Sequence, residues 1–268
     1  MEKKNNRELL YRLAKPILVP LFKFYYNPKT INKEYLNVDG PVVICCNHKH
    51  IMDQCCIIMN TKRVIHYMAK KEYFDSKFAW FFKSVGCIPV DRTIKDTEAK
   101  QAAIDTLSEG KCIGIFPEGT RNSLKDDVIK ELYTNYFSDL KYKEFRKKIK
   151  KINPKYTQIM YLENMYKDKK ISLSVFKDNF FDVDNYLKQK LNKKEYNKTL
   201  LIPLKFGAVS MASKTNATIV PSAIIGDYKF RSKNLRVVFG KPFKVNEMDL
   251  ESANKKLEDI IIELMNNN

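Results

Sequence analysis

The chain has 268 residues, 44% of them hydrophobic, with only 8 glycines and 10 prolines. That length suits one large domain or two small ones, and the composition excludes a disordered or fibrous chain. The formal net charge of +18 calls for an acidic partner: nucleic acid, an anionic membrane or a phosphorylated substrate. Neither zinc-finger spacing nor an RNP-type aromatic pattern accompanies that charge.

Residues 1–33 carry eight Lys/Arg against two Glu. Within them Leu9–Tyr26 (LLYRLAKPILVPLFKFYY) is strongly apolar but interrupted by Arg12, Lys15 and Lys23. Pro16 and Pro20 are expected to kink or divide any helix there. A basic, aromatic-bearing, broken apolar helix suits lying in a membrane interface rather than crossing it. The alternative is a helix packed on the body of the protein. No stretch reaches the roughly 18 apolar residues of a transmembrane helix, and the pattern of a signal peptide is missing.

Alternating elements follow. Val42–Cys46 reads as a short buried strand, and a helix is predicted over 53–59. Val64–Met68 is a second strand, 74–84 an aromatic helix, and 87–90 an edge strand because Pro89 cannot donate in a central ladder. A helix over 96–109 stops at Gly110, and Cys112–Phe116 is a fourth strand. This β-α-β-α order predicts an α/β fold with a mixed, largely parallel sheet flanked by helices.

Residues 124–200 break that pattern. They contain no glycine and hold 19 Lys/Arg against 11 Asp/Glu, a net of +8. Helical spacing from Val128 to Leu140 and frequent aromatics predict a mainly helical basic insertion, not disorder. It would serve as a lid, a second membrane-facing surface or a solvated elaboration. The alternating core resumes with a helix over 204–213, strands over 217–225 and 235–239, and a closing helix over 248–265. The expected organisation is a membrane-docking segment at 1–33, then a domain over 34–268 interrupted by 124–200.

The six cysteines, Cys45, Cys46, Cys55, Cys56, Cys87 and Cys112, lie in apolar runs or at helix starts without C-x-x-C spacing. Free thiols in a reducing compartment are expected.

Four stretches carry chemistry. Asn47 and His48 end the first strand, and Asp53 follows five residues on. If His48 sits in the turn and Asp53 in the first helical turn, the acid can orient the imidazole as a general base; a polar turn residue is the alternative. Gly86–Arg92 ends a strand on Asp91-Arg92, either one half of a phosphate clamp or a surface ion pair. Phe116–Asn122 supplies Glu118, Gly119, Thr120 and Arg121, either a ligand loop that the backbone can approach closely at Gly119 or a simple turn. Ile219-Val220-Pro221 lies in a late strand.

Together these stretches resemble the four sequence blocks of the glycerol-phosphate and lysophosphatidate acyltransferase family. The first block, N-H-x4-D, is matched by Asn47, His48 and Asp53; the second by Gly86 to Arg92; the third, F-P-E-G-T-R, by Phe116 to Arg121; the fourth by Ile219-Val220-Pro221. Met68-Ala69-Lys70-Lys71-Glu72 also looks like the family. The resemblance covers roughly residues 40–122 and 200–245. Two departures stand out: His50 occupies a position that often holds a small polar residue, and the 124–200 insertion separates blocks that are normally close.

The resemblance implies an acyltransferase. His48 would take the proton of a free glycerol hydroxyl, with Asp53 orienting it. Arg92 and Arg121, and more weakly Lys71, would hold the acceptor phosphate. Glu118, Gly119 and Thr120 would shape the acceptor and oxyanion region. It implies no metal, no cofactor and no acyl-enzyme, with acyl-CoA or acyl carrier protein as co-substrate. The implied acceptor is 1-acyl-glycerol 3-phosphate, giving phosphatidic acid in phospholipid synthesis; glycerol 3-phosphate or another lysophospholipid are alternatives. The implied place of action is the cytoplasmic face of an anionic membrane, bound peripherally or monotopically, without nucleic acid. A non-catalytic basic membrane- or nucleic-acid-binding protein is the rival class.

Overall fold

The computed structural model describes residues 8–91, 93–94, 96–246 and 248–267. Two compact units are distinguished, residues 1–119 with 204–268, and residues 120–203.

In the first unit seven strands form one sheet: β1 (Lys29–Ile31), β2 (Val42–Cys46), β3 (Ile65–Lys70), β4 (Ile88–Val90), β5 (Cys112–Ile115), β6 (Thr218–Ile225) and β7 (Arg236–Phe239). Their order is β1-β7-β6-β2-β5-β3-β4. β6, β2, β5, β3 and β4 run parallel, whereas β7 pairs antiparallel with β6 and carries β1 with it. Every residue of β2 is buried, as is every residue of β6 except Ile225. Unbroken apolar runs of this kind are what a parallel sheet covered on both faces requires. Pro89 lies in β4 at the sheet edge, where its missing N–H costs no ladder bond. β1 escapes sequence reading because Lys-Thr-Ile is too short and polar for period-two patterning. In register, Val42 stands opposite both Cys112 and Thr218. The carboxyl ends of β2, β5 and β6 therefore share one edge of the sheet, which is where ligands bind in open α/β folds.

Among the described residues six α-helices belong to this unit: α1 (Leu9–Tyr26), α2 (Asp53–Ile58), α3 (Ala79–Ser84), α4 (Thr97–Ser108) and, after the six helices of the second unit, α11 (Gly207–Thr215) and α12 (Leu250–Asn266). Of the kink or division expected from sequence, division does not occur: α1 runs through Pro16 and Pro20 as one helix. Both prolines and Arg12 are exposed, so the carbonyls the prolines leave unbonded face solvent. The helix ends at Asn27, whose left-handed conformation (φ 50°) lets its N–H bond the Lys23 carbonyl at 2.8 Å. Val19, Phe22 and Tyr26 enter the core beside Leu36 and Phe239. Leu13, Ile17, Leu21 and Phe24 remain exposed on the other side, Ile17 and Phe24 each at 65%.

Two helices start well after their predicted first residue. The 74–84 helix begins only at Ala79, because the Ser76 hydroxyl bonds the Tyr73 carbonyl (2.8 Å) and accepts the Phe78 N–H (3.2 Å), a local alternative to helical bonding. The 204–213 helix begins at Gly207, because the Lys205 N–H is committed to the Pro117 carbonyl at 2.9 Å.

The second unit is helical throughout: α5 (Asp126–Tyr136), α6 (Tyr142–Ile152), α7 (Tyr156–Lys167), α8 (Leu173–Asn179), α9 (Val183–Lys190) and α10 (Lys193–Lys198). Phe145, Phe176 and Phe180 are fully buried with Ile129, Ile159 and Leu162, and Phe137 stacks on Phe145 at 4.9 Å. Its two chain ends are tied by Asn122. That amide donates to the Leu200 carbonyl (3.2 Å) and accepts the Thr157 N–H (3.1 Å).

Candidate active site

β2 stops where Asn47 takes over its pairing with β6. The buried Asn47 side chain accepts the Ile224 N–H (2.7 Å) and donates to the Ile224 carbonyl (3.1 Å). An amide thus stands in for a backbone rung, and the next residue turns out of the sheet. That residue is His48, whose N–H donates to Glu118 Oε1 at 2.7 Å. Glu118 is itself buried just beyond the end of β5, so block three, which follows that strand, holds the backbone of block one.

His48 and Asp53 meet. Nδ1 lies 2.7 Å from Asp53 Oδ2, with 17% of the histidine side chain exposed and none of the aspartate. The five-residue spacing works because the intervening turn folds over the carboxylate: Oδ2 also accepts the N–H groups of Lys49 (2.7 Å) and His50 (2.8 Å). A carboxylate on Nδ1 selects the tautomer with its proton there, leaving Nε2 as the basic nitrogen. The imidazole stacks on Phe116 at 4.1 Å between centroids and 14° between planes. Tyr67 stacks beyond Phe116.

The remaining Asp53 oxygen, Oδ1, accepts the hydroxyl of Tyr228 at 2.7 Å. Burial, then the Asp53 charge, push the Tyr228 phenol far above its ordinary range, so it stays a donor. His50 stacks on the Tyr228 ring (4.2 Å, 17°), and its Nδ1 accepts the Met52 N–H at 3.2 Å. Sequence reading missed Tyr228 because no motif marks it and it lies 175 positions from Asp53.

The other sequence-predicted residues are placed as follows. Gly119 adopts φ +71°, and a Cβ there would come within 2.8 Å of Lys205 Cε. Its N–H bonds the Phe116 carbonyl at 2.9 Å, forming the turn that presents Glu118. Lys205 is thus a cation beside the third block that spacing alone does not reveal. Lys71 follows β3, with Nζ 4.0 Å from Asp91 Oδ2 after β4. Asp91 also accepts the Thr93 N–H and hydroxyl, and these bonds hold its carboxyl below the ordinary value. Arg92 lies outside the described residues. Thr120 and Arg121 open the second unit, where Arg121 is exposed.

This geometry suits general-base chemistry. Covalent thiol catalysis is disfavoured, because burial pushes the thiols around Asp53 upward: Cys55 to about 11, Cys56 to about 12, and Cys46 well above its ordinary value. A thiolate, not a thiol, is the nucleophile. Among the described residues no cluster of His, Cys, Asp and Glu could hold a metal ion.

A 1-acyl-sn-glycerol-3-phosphate acyltransferase of Bacillus subtilis (strain 168) is 35% identical over 116 residues, which span 42% of this chain and 58% of that relative. The chain thus matches little more than half of the relative's length. The crystal structure of the 1-acyl-sn-glycerophosphate (LPA) acyltransferase PlsC from Thermotoga maritima superposes with a TM-score of 0.53, at 14% identity, over 94% of this chain and 80% of that one. That likeness establishes the fold: a mixed, mostly parallel sheet flanked by helices. The acyltransferase family model matches residues 27–225, a span that contains all four sequence blocks, and so the chain belongs to the acyltransferase family.

Proposed function

We propose that the protein transfers a fatty acyl group from acyl-CoA or acyl carrier protein to the free hydroxyl of 1-acyl-glycerol 3-phosphate, giving phosphatidic acid. The observation that carries this reading is the His48–Asp53 contact at the carboxyl edge of the sheet. His48 Nε2 removes the hydroxyl proton as the oxygen attacks the thioester carbonyl. The tetrahedral intermediate then expels the thiolate, which takes the proton back from His48. Asp53 stabilises the imidazolium in between. The ester C–O bond forms as the thioester C–S bond breaks, and the Nε2–H bond made on His48 is broken when the thiolate is protonated, so the enzyme returns unchanged. Arg92, Arg121 and Lys71 are assigned to the acceptor phosphate, and Gly119 and Thr120 to the loop beside the reacting carbonyl. Glu118 acts through the His48 backbone.

The protein works at the cytoplasmic face of an anionic membrane, held peripherally or monotopically. The exposed apolar side of α1 and the +18 charge support this. No helix among the described residues is long and apolar enough to cross a membrane.

The test is thiol release from acyl-CoA and from acyl carrier protein against lysophosphatidate, glycerol 3-phosphate and lysophosphatidylcholine. Lysophosphatidate is expected to be the preferred acceptor. His48→Ala should lower kcat/KM on the order of 100-fold to 10,000-fold with unchanged folding. Full activity in that variant would remove His48 from the chemistry; preference for another acceptor would reassign the substrate and keep the mechanism.

A further inference from the structure

Asp53 is more elaborately held than a carboxylate that merely touches a histidine. Oδ2 already serves His48, Lys49 and His50. Oδ1 faces the loop leaving β6, and there it meets Tyr228. That phenol is fixed on two sides, by the stacked His50 ring and by the edge of Tyr26 at 5.5 Å.

The loop itself is built to hold Tyr228 still. Gly226 turns at φ +85°, and a Cβ there would lie 2.0 Å from the Asn234 carbonyl oxygen. The Asp227 N–H bonds Asn234 Oδ1 at 3.1 Å, and the Ser232 hydroxyl bonds the same atom at 2.8 Å. The Lys49 ammonium donates to the Gly226 carbonyl. Beyond Tyr228, the Arg231 N–H bonds the Tyr25 carbonyl at 2.6 Å, and Phe230 packs on the Tyr25 ring at 5.3 Å. The loop is anchored both to block one and to α1.

Resting on the acyl-transfer reading of His48, we propose that Tyr228 is a positioning residue for the His48–Asp53 pair, with His50 bracing its ring. The hydroxyl fixes the plane of the carboxylate through Oδ1, so that Oδ2 stays aimed at Nδ1. It also draws negative charge away from the imidazole, which keeps the base from holding its proton too tightly. This gives His50 a task.

The other groups facing the pair are Glu118, Lys49, Cys46, Cys55 and Cys56. Asp227 faces Lys49; burial raises its carboxyl, but Lys229 and Lys49 outweigh that and lower it. Burial keeps the three thiols protonated near neutrality, so a shift in the acid limb of the rate profile reports on the His48–Asp53–Tyr228 chain.

The experiment measures kcat/KM for thiol release from acyl-CoA with lysophosphatidate across the range where histidine titrates, about pH 5 to 9. Tyr228→Phe keeps the stacked ring and removes only the hydroxyl. It is expected to lower kcat/KM roughly tenfold and to move the acid limb to higher pH by about half a unit or more, because an imidazolium beside a less neutralised carboxylate keeps its proton longer. Replacing Tyr228 by a fluorinated tyrosine, a stronger donor of nearly the same shape, moves the limb the opposite way and serves equally if Tyr228→Phe does not fold. In an Asp53→Asn background, Tyr228→Phe should cost nothing further, since both changes cut the same chain. An acid limb unmoved in both Tyr228 variants, or losses that multiply in the double variant, would overturn the proposal. Full activity of His48→Ala would instead remove His48 from the chemistry, the reading on which this proposal rests.

Discussion

At the scale of single residues, the site depends on side chains that do the work of backbone. Asn47 is the clearest case, since its amide satisfies both polar groups of Ile224 inside the sheet. Asn47→Ala leaves a buried N–H and a buried carbonyl without that partner, so we expect a loss of about 1–3 kcal/mol. Chemical denaturation measures it as a lower midpoint at constant slope, and activity should fall further than stability because His48 is the next residue. An unchanged midpoint would mean that β2 and β6 re-pair without the amide. His48 and Asp53 could be paired from sequence because their partnership is local, closed by one turn. Glu118 and Tyr228 could not be given their contacts, because sequence spacing says nothing about which side chain a distant loop delivers. Lys205 was likewise hidden, its position set by a backbone bond to Pro117.

At the scale of elements, α1 does two jobs on two faces. One face packs Phe22 into the core and the other leaves Ile17 and Phe24 in solvent. Its first residues are tethered at Glu8, which pairs with Arg12 (3.0 Å), Lys111 (3.1 Å) and His66 (3.3 Å). Burial raises the Glu8 carboxyl, but the hydrogen bonds from Arg12 and Lys111 outweigh it and hold it below the ordinary 4.5. A depressed carboxyl stabilises the fold above its unfolded value and loses that contribution as pH falls through its folded value. Glu8→Gln should therefore lower the thermal midpoint at neutral pH and cost progressively less as pH falls through the lowered folded-state value, where the native carboxyl becomes protonated. Equal losses at neutral and acid pH would mean that the charge is irrelevant to the tether. The strands and α4 were readable because their apolar runs are long enough to fix a period. Elements that failed were those governed by one competing bond, such as Ser76 before α3, or by length, such as β1. That α1 would run unbroken through two prolines was not visible either, since whether a proline breaks a helix depends on where its freed carbonyls point.

At the scale of the whole molecule, a charge of +18 and an apolar stripe predict two separable contributions to membrane binding. Binding to anionic vesicles should weaken as salt rises from about 0.05 M to 0.5 M, because the Debye length shrinks severalfold. Ile17→Glu with Phe24→Glu should abolish the part that survives high salt while leaving the thermal midpoint unchanged, as both side chains already face water. Vesicle sedimentation measures both terms; binding indifferent to salt and to both substitutions would remove α1 from the interface. The alternation of strands and helices made the sheet legible. The reversal at β7 was not, because antiparallel and parallel strands bury the same kinds of residue and only the connection settles direction.

The long reach of the sheet pairings has a further consequence, for the order in which the protein assembles. β2 forms its rungs with β5 and with β6, and Asn47 waits for a partner 177 positions later. Asp53 waits almost as long for Tyr228. Pairings so distant in sequence make folding slow, since the loop must close before the contact rewards it. During synthesis the strand Val42–Cys46 is made long before β6 (Thr218–Ile225) and stays without that neighbour until the whole intervening segment has been made. The α-helical unit at 120–203, whose contacts are local, can fold in that interval. A chain of this design is most exposed to misassembly between the synthesis of β2 and that of β6, and the His48–Asp53 pair becomes fully supported only once the loop carrying Tyr228 has been made.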